Sequence, residues 1–220
     1  MKSPWADLAL GPVPKVRHRS RSIIGQADLL ANARRQRIGK CGNSMGRAVR
    51  AFVAVEVPPP SEGPHGVGAP EHLTLRFLGE IARERVGPIG EALAPVGEAV
   101  APFSLTLEGV GAFPSPERPR VVWVGATGGA RELGDLAHRV RNALRGEGAP
   151  DREGEFVPHL TLFRVRSSTD RRRAEELLSG RVPPPAPRRF RVEQFVLKES
   201  VLSSRGATHH TLSTFPLRGT

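Results

Sequence analysis

The chain has 220 residues, with 33 Lys or Arg against 22 Asp or Glu and a single cysteine. That length suits one domain, or two, and is enough to bury a real core. No apolar run approaches the ~20 residues that span a bilayer, and the lone Cys41 rules out an intramolecular disulfide and a Cys-rich metal site while fitting a reducing, cytoplasmic compartment.

The formal charge of +11 is unevenly spread. Residues 1–44 hold nine Lys or Arg and two Asp, a net +7; the remaining residues hold 24 basic and 20 acidic side chains, a net +4. The basic excess therefore sits mostly in the first segment, and a mildly basic body suits an anionic substrate without demanding one. Arg predominates over Lys beside abundant Ala, Gly and Pro, which reads first as GC-rich codon usage and second as phosphate recognition. The start of the chain lacks the apolar core and cleavage site of a secretory signal. Segment 15-KVRHRSRS-22 is a solvated charge run, and 28-DLLANARRQR-37 predicts at most a short helix. Two readings of residues 1–44 stay open: a disordered basic extension, or a stretch upstream of a true start at Met45. Residues 45–220 form the expected domain.

The predicted elements follow in order. Segment 48-AVRAFVAVEV-57 is a strand that ends at 58-PPP-60, and the Pro, Gly and Ser content of 58–70 makes a loop. Strand 72-HLTLRFL-78 comes next, then a helix over 84–100 weakened by Gly87 and Gly90. Strands are expected at 103-FSLTLEGVGAF-113 and 120-RVVWVGA-126. The best helix covers 131–148, where Leu133, Leu136, Val140 and Leu144 form one apolar stripe before Gly146 and Gly148. Strand 156-FVPHLTLFRV-165, a charged helix over 170–180, the linker 182-VPPPAP-187 and two last strands, 190–202 and 208–217, complete the chain. Strands mixed with a few helices, in two halves, predict an α+β fold with a pseudo-two-fold relation.

The tetrapeptide His-Leu-Thr-Leu occurs at 72–75 and again 87 positions later at 159–162. In a strand, alternate side chains share a face. His72 with Thr74, and His159 with Thr161, thus each form a polar pair opposite two leucines. Were the two strands adjacent, two imidazoles and two hydroxyls would converge. Histidine titrates near 6.5, so one ring can accept a proton while the other donates one. Threonine hydroxyls can donate to phosphate oxygens. Strict alternation places Arg164 on the opposite face unless the strand ends or bulges near Phe163. No His-x-His, HExxH or clustered carboxylates suggest a metal. A lone histidine opening a strand is usually a surface or capping residue; the identical string twice, with its polar positions repeated, points to metal-free acid–base chemistry on a phosphate ester.

Around these motifs the chain resembles the two-histidine phosphoesterase superfamily. Within it, it is most similar to the RNA 2′,3′-cyclic phosphodiesterase, or 2′–5′ RNA ligase, family. The residues are PEHLTLRFLGE, PHLTLFR, RVVWVG ahead of the long helix, and a first strand ending VEVP. The resemblance covers about residues 47–217. It implies a bilobal α+β fold of two antiparallel-sheet lobes, with helices outside and a central cleft. It also implies hydrolysis of an RNA 2′,3′-cyclic phosphate to a 2′-phosphomonoester with no metal or other cofactor. His72 would be the proton donor to the departing 3′ oxygen and His159 the acceptor from water, with Thr74, Thr161 and Arg164 on the phosphate. The expected partner is RNA or an oligonucleotide with a cyclic phosphate end; no membrane is expected, and the chain would act as a monomer. The family places a helix between the first strand and the first motif. Only 58–71 intervene here, which would leave the first lobe less covered or the site more open.

Two other functions stay in view: a non-catalytic RNA-binding protein of the same fold, and a phosphodiesterase for another cyclic nucleotide phosphate or a 2′–5′ oligonucleotide. Among the remaining residues, His209, His210 and His138 read as surface, 171-RRR-173 as a helix surface, and Trp123 as core. Phe77 reads equally as core packing or as a stacking surface for a nucleobase.

Overall fold

The structure is a computed structural model that describes residues 48–59, 71–148, 156–203 and 206–220. Residues 1–44, most of the 58–71 connection, Cys41, His18 and His65 lie outside the described residues. The strands are β1 (Ala48–Val57), β2 (Glu71–Ala82), β3 (Phe103–Phe113), β4 (Val121–Gly128), β5 (His159–Arg164), β6 (Arg188–Val192), β7 (Gln194–Ser203) and β8 (Gly206–Pro216). The helices are α1 (Val86–Ala99), α2 (Ala130–Ala143) and α3 (Ser168–Leu178), with a 3-10 turn at Arg83–Arg85.

The strands form one antiparallel sheet in the order β6-β3-β4-β5-β2-β1-β7-β8. Each half of that order contains four strands and ends, at the centre, on one of the motif strands. The expected lobes are thus present, but β2 and β5 lie side by side and join them. Their junction is narrow: a single register pair, Leu73 with Leu160.

The expected strand over 190–202 divides in two. β6 pairs with β3 at one edge, and β7 pairs with β1 towards the other, with only Glu193 between them. A flat sheet would hold β6 and β7 about 29 Å apart, at ~4.8 Å per strand. Two peptide links span at most ~7 Å. The sheet must therefore curl until its two halves meet at that end. There the Leu217 amide donates to the Glu193 carbonyl over 2.8 Å.

All three helices cover one face. The main core joins Val49, Val53, Val55, Leu73, Leu75 and Leu160 to Ile89 and Leu93 of α1 and Leu133, Leu136 and Val140 of α2. A smaller cluster seats Ala174 and Leu177 of α3 on Val122. α1 forms despite Gly87, Gly90 and Pro95 because its Ile89, Leu93 and Val96 are buried, so tertiary packing outweighs weak propensity. α3 begins at a reciprocal cap: Ser167 Oγ accepts from the Asp170 amide and Asp170 Oδ2 accepts from the Ser167 amide.

Candidate active site

The face opposite the helices carries the two motifs. The single pair Leu73–Leu160 fixes the antiparallel register, which sets His72 beside Thr161 and Thr74 beside His159. The four polar side chains identified from the repeat therefore share one patch.

Both motif strands bulge at the same place. In β2 the partners of Val53 and Ala54 are Arg76 and Thr74, so Leu75 is passed over. In β5 the partners of Val122 and Trp123 are Phe163 and Thr161, so Leu162 is passed over. A bulge inserts one residue and reverses the alternation beyond it. Arg164 consequently pairs with Val121 on the same face as His159 and Thr161, the one circumstance in which it can serve the site. In β2 the same shift turns Phe77 to the site face, its ring 6.0 Å from that of Phe52, and turns Arg76 inwards. Phe77 is 62% exposed, which excludes the core-packing alternative.

Arg76 is 6% exposed and serves the fold. Its guanidinium donates to the carbonyls of Arg141 (2.8 Å), Leu144 (2.7 Å) and Glu147 (3.1 Å). These lie at and just beyond the C-terminus of α2, where carbonyls lack helical partners and a cation also meets the negative end of the dipole.

The two histidines have different surroundings. His159 Nδ1 lies 2.8 Å from the Val157 carbonyl. A carbonyl only accepts, so Nδ1 carries the proton and the neutral ring keeps its lone pair on Nε2. Burial pushes the His159 pKa below 6.5; the Val157 hydrogen bond opposes this, and the nearby Arg164 charge lowers it further. The ring packs edge-on against Phe113, with centroids 4.9 Å apart. Its register partner is Gly125. The register partner of His72 is Glu56, which forms an ion pair with the buried Lys198. Lys198 Nζ also donates to Thr211 Oγ1 over 3.1 Å.

Two readings of single residues are corrected. His209 is not a plain surface residue: its ring stands edge-on to His72 at 4.9 Å and to Phe52 at 5.1 Å. Burial, then the charges of Lys198 and His210, lower its pKa from 6.5. Trp123 is not core either. It pairs with Thr161 on the site face, 6.3 Å from the His159 ring. It lies over Gly111, where a Cβ would fall inside the indole. His138 and the arginines 171–173 are exposed as expected, with Arg173 lying over the Phe163 ring at 4.5 Å. Nothing local marks His209 or the Glu56–Lys198 pair; both arise from strand order, which sets β7 next to β1 and β8 next to β7.

Comparison with known proteins agrees with this geometry. A family model, the 2′-5′ RNA ligase superfamily, matches residues 62–200, and the chain belongs to that superfamily. Curated relatives include an RNA 2′,3′-cyclic phosphodiesterase of Aeropyrum pernix, 38% identical over 64% of this chain and 78% of that protein. The protein of the same name from Aquifex aeolicus is 33% identical over 67% of this chain and 78% of its own length. Among solved structures, Escherichia coli LigT complexed with 3′-AMP superposes with a TM-score of 0.59 at 26% identity, covering 78% of this chain and 99% of that one.

Proposed function

We propose that this protein hydrolyses the 2′,3′-cyclic phosphate at the end of an RNA to a 2′-phosphomonoester, using His72 and His159 and no metal. The observation that carries the reading is the convergence of both His-Thr pairs on one face, with Arg164 turned towards them by the β5 bulge. The names of the relatives support the substrate class.

Each step has a residue fitted to it. His159 is neutral at pH 7 with Nε2 free to take a proton, so it serves as the base that activates water. The resulting hydroxide attacks phosphorus and the bond to the 3′ oxygen breaks. His72 gives its proton to that oxygen, leaving the phosphate on the 2′ oxygen. Thr74 and Thr161 donate to the non-bridging oxygens. Arg164 stabilises the charge that builds on them in the transition state.

The test is incubation of the purified full chain, with EDTA, on an oligoribonucleotide ending in a 2′,3′-cyclic phosphate. A 2′-phosphate product is expected. His72→Ala and His159→Ala should each lower kcat about 10²- to 10⁴-fold. Undiminished turnover in both variants would reject the assigned pair. Binding without turnover in the wild type would leave a non-catalytic RNA-binding protein.

A further inference from the structure

The face that carries the motifs does not stop at Arg164. The ladder between β4 and β5 runs one residue further, where the Val165 amide donates to the Arg120 carbonyl over 2.9 Å. Val165, like Phe163, packs with the α3 cluster. Alternation therefore sets Arg164 and Arg166 together on the other side, the side of the histidines. The neighbouring turn between β3 and β4 adds Arg118 and Arg120. It is closed by the Arg118 amide on the Ser115 carbonyl (3.2 Å) and the Arg120 amide on the Phe113 carbonyl (2.7 Å). All four arginines are exposed.

Among the described residues, none of these four has an acidic side chain within ion-pair distance. The acids close to them in the chain are engaged otherwise: Glu117 accepts from the Ser115 side chain, and Asp170 accepts from the Arg166 and Ser167 amides. Lys198 and Arg191, by contrast, are paired with Glu56 and Glu193. Like charges held on adjoining strand ends repel one another and add nothing to the stability of the fold. They suit an anion brought from outside. The active site calls for one phosphate, which Arg164 already meets, so the others point to a second. A cyclic phosphate occupies the 2′ and 3′ oxygens of the last ribose. The rest of an RNA then leaves through the 5′ oxygen, and its first phosphodiester lies one nucleotide away. Two residues of strand, from Arg164 to Arg166, advance ~7 Å, comparable to the step between successive phosphates of an RNA chain.

We propose that Arg166 and Arg118, beyond the Arg164 of the active site, bind the phosphodiester that links the terminal nucleotide to the rest of the RNA, so that the protein favours oligonucleotide ends over free nucleoside cyclic phosphates. This rests on the cyclic phosphodiesterase reading. A guanidinium offers a planar fork of donors that matches a phosphate. Contacts to the backbone carry no base information, so the preference is for chain length and not for sequence. Arg120 adds its charge at the rim.

The experiment compares wild type with the double variant Arg118→Ala, Arg166→Ala on the 2′,3′-cyclic phosphates of adenosine, of adenosine 5′-phosphate and of the dinucleotide ApA. The variant should raise KM roughly 5- to 30-fold for the two substrates that carry a phosphate on the 5′ oxygen, leave kcat within a few-fold, and leave the adenosine substrate unaffected. In the wild type, log kcat/KM should fall with log salt more steeply for the dinucleotide than for adenosine, by about 0.7 in slope, and the difference should vanish in the variant. An equal loss on all the substrates, a loss on the dinucleotide alone, or no loss on any overturns the proposal. If the wild type hydrolyses none of them, the cyclic phosphodiesterase reading fails. Equilibrium binding of adenosine 2′-phosphate and adenosine 2′,5′-bisphosphate then decides the second phosphate site by itself. It stands if the double variant weakens the bisphosphate alone, and falls if it does not.

Discussion

At the scale of single residues, the repeated motif is symmetric but its surroundings are not. His159 is held as its Nδ1–H tautomer by a carbonyl, is partly buried and stands near Arg164; all but the hydrogen bond push its pKa below 6.5. On the proposed mechanism His159 must be deprotonated to act, so on the acid side activity is lost as pH falls through that lowered value. The acid limb of kcat/KM, which reports the free enzyme, should therefore have its midpoint below 6.5. Arg164→Ala removes one lowering influence, so it should move the limb upwards as well as reduce kcat/KM. A limb that stays in place would detach Arg164 from His159. His209 offers a second test, since its ring supports His72 from the side. Its own pKa is lowered from 6.5, so at neutral pH it is uncharged beside the ring proposed as the proton donor. His209→Phe keeps the ring contact and should retain kcat within a few-fold. His209→Ala leaves a gap and should lose about 2- to 10-fold, the worth of an aromatic contact. Single-turnover rates of the two variants measure the difference.

At the scale of the element, the bulges decide which side chains reach the chemistry, and composition does not reveal them. Leu75 and Leu162 look like ordinary members of an alternating strand, yet each is the extra residue that reverses the pattern. Read by strict alternation, Arg164 faces away and Phe77 joins the leucines; both placements change for this one reason. What precedes the bulge was legible, because burial of Leu73, Leu75 and Leu160 against helices forces His72, Thr74, His159 and Thr161 to the other side. The division of 190–202 was not legible, since Glu193 carries no proline or glycine signal and the switch depends on which edges the flanking strands find. Arg76 shows the structural consequence of the first bulge. Turned inwards, it bonds three carbonyls near the end of α2. Arg76→Leu would remove all three bonds, one buried and two part-buried, and should destabilise the fold by about 3 kcal/mol. Arg76→Lys would recover only part of this, because an ammonium cannot reproduce the planar fork. Denaturant midpoints measure both, and a loss within ~0.5 kcal/mol for Arg76→Leu would deny the cap its role.

At the scale of the whole molecule, catalytic and structural demands meet in the response to acid. The curled sheet places two half-buried histidines, His159 and His209, where burial and positive neighbours depress both pKa values from 6.5. In the unfolded chain each returns to its ordinary value. As pH falls below about 6.5 the unfolded state takes up protons that the folded state still refuses, so stability must decline. Above about pH 7.5 both states hold these rings neutral and the two residues contribute no slope. The exposed carboxylates of Asp170 and Glu117 are also shifted down, but from 3.8 and 4.5, so their effect belongs to a more acidic range. Between about pH 7.5 and 5.5 the histidines alone among these groups give the wild type a falling Tm. The double variant His159→Gln, His209→Phe has no such groups at either site and should show a flatter profile over that range, whatever its absolute Tm. Equal slopes in the two proteins would mean that neither ring is held neutral by the fold, and the assignment of His159 as the resting base would lose its electrostatic support.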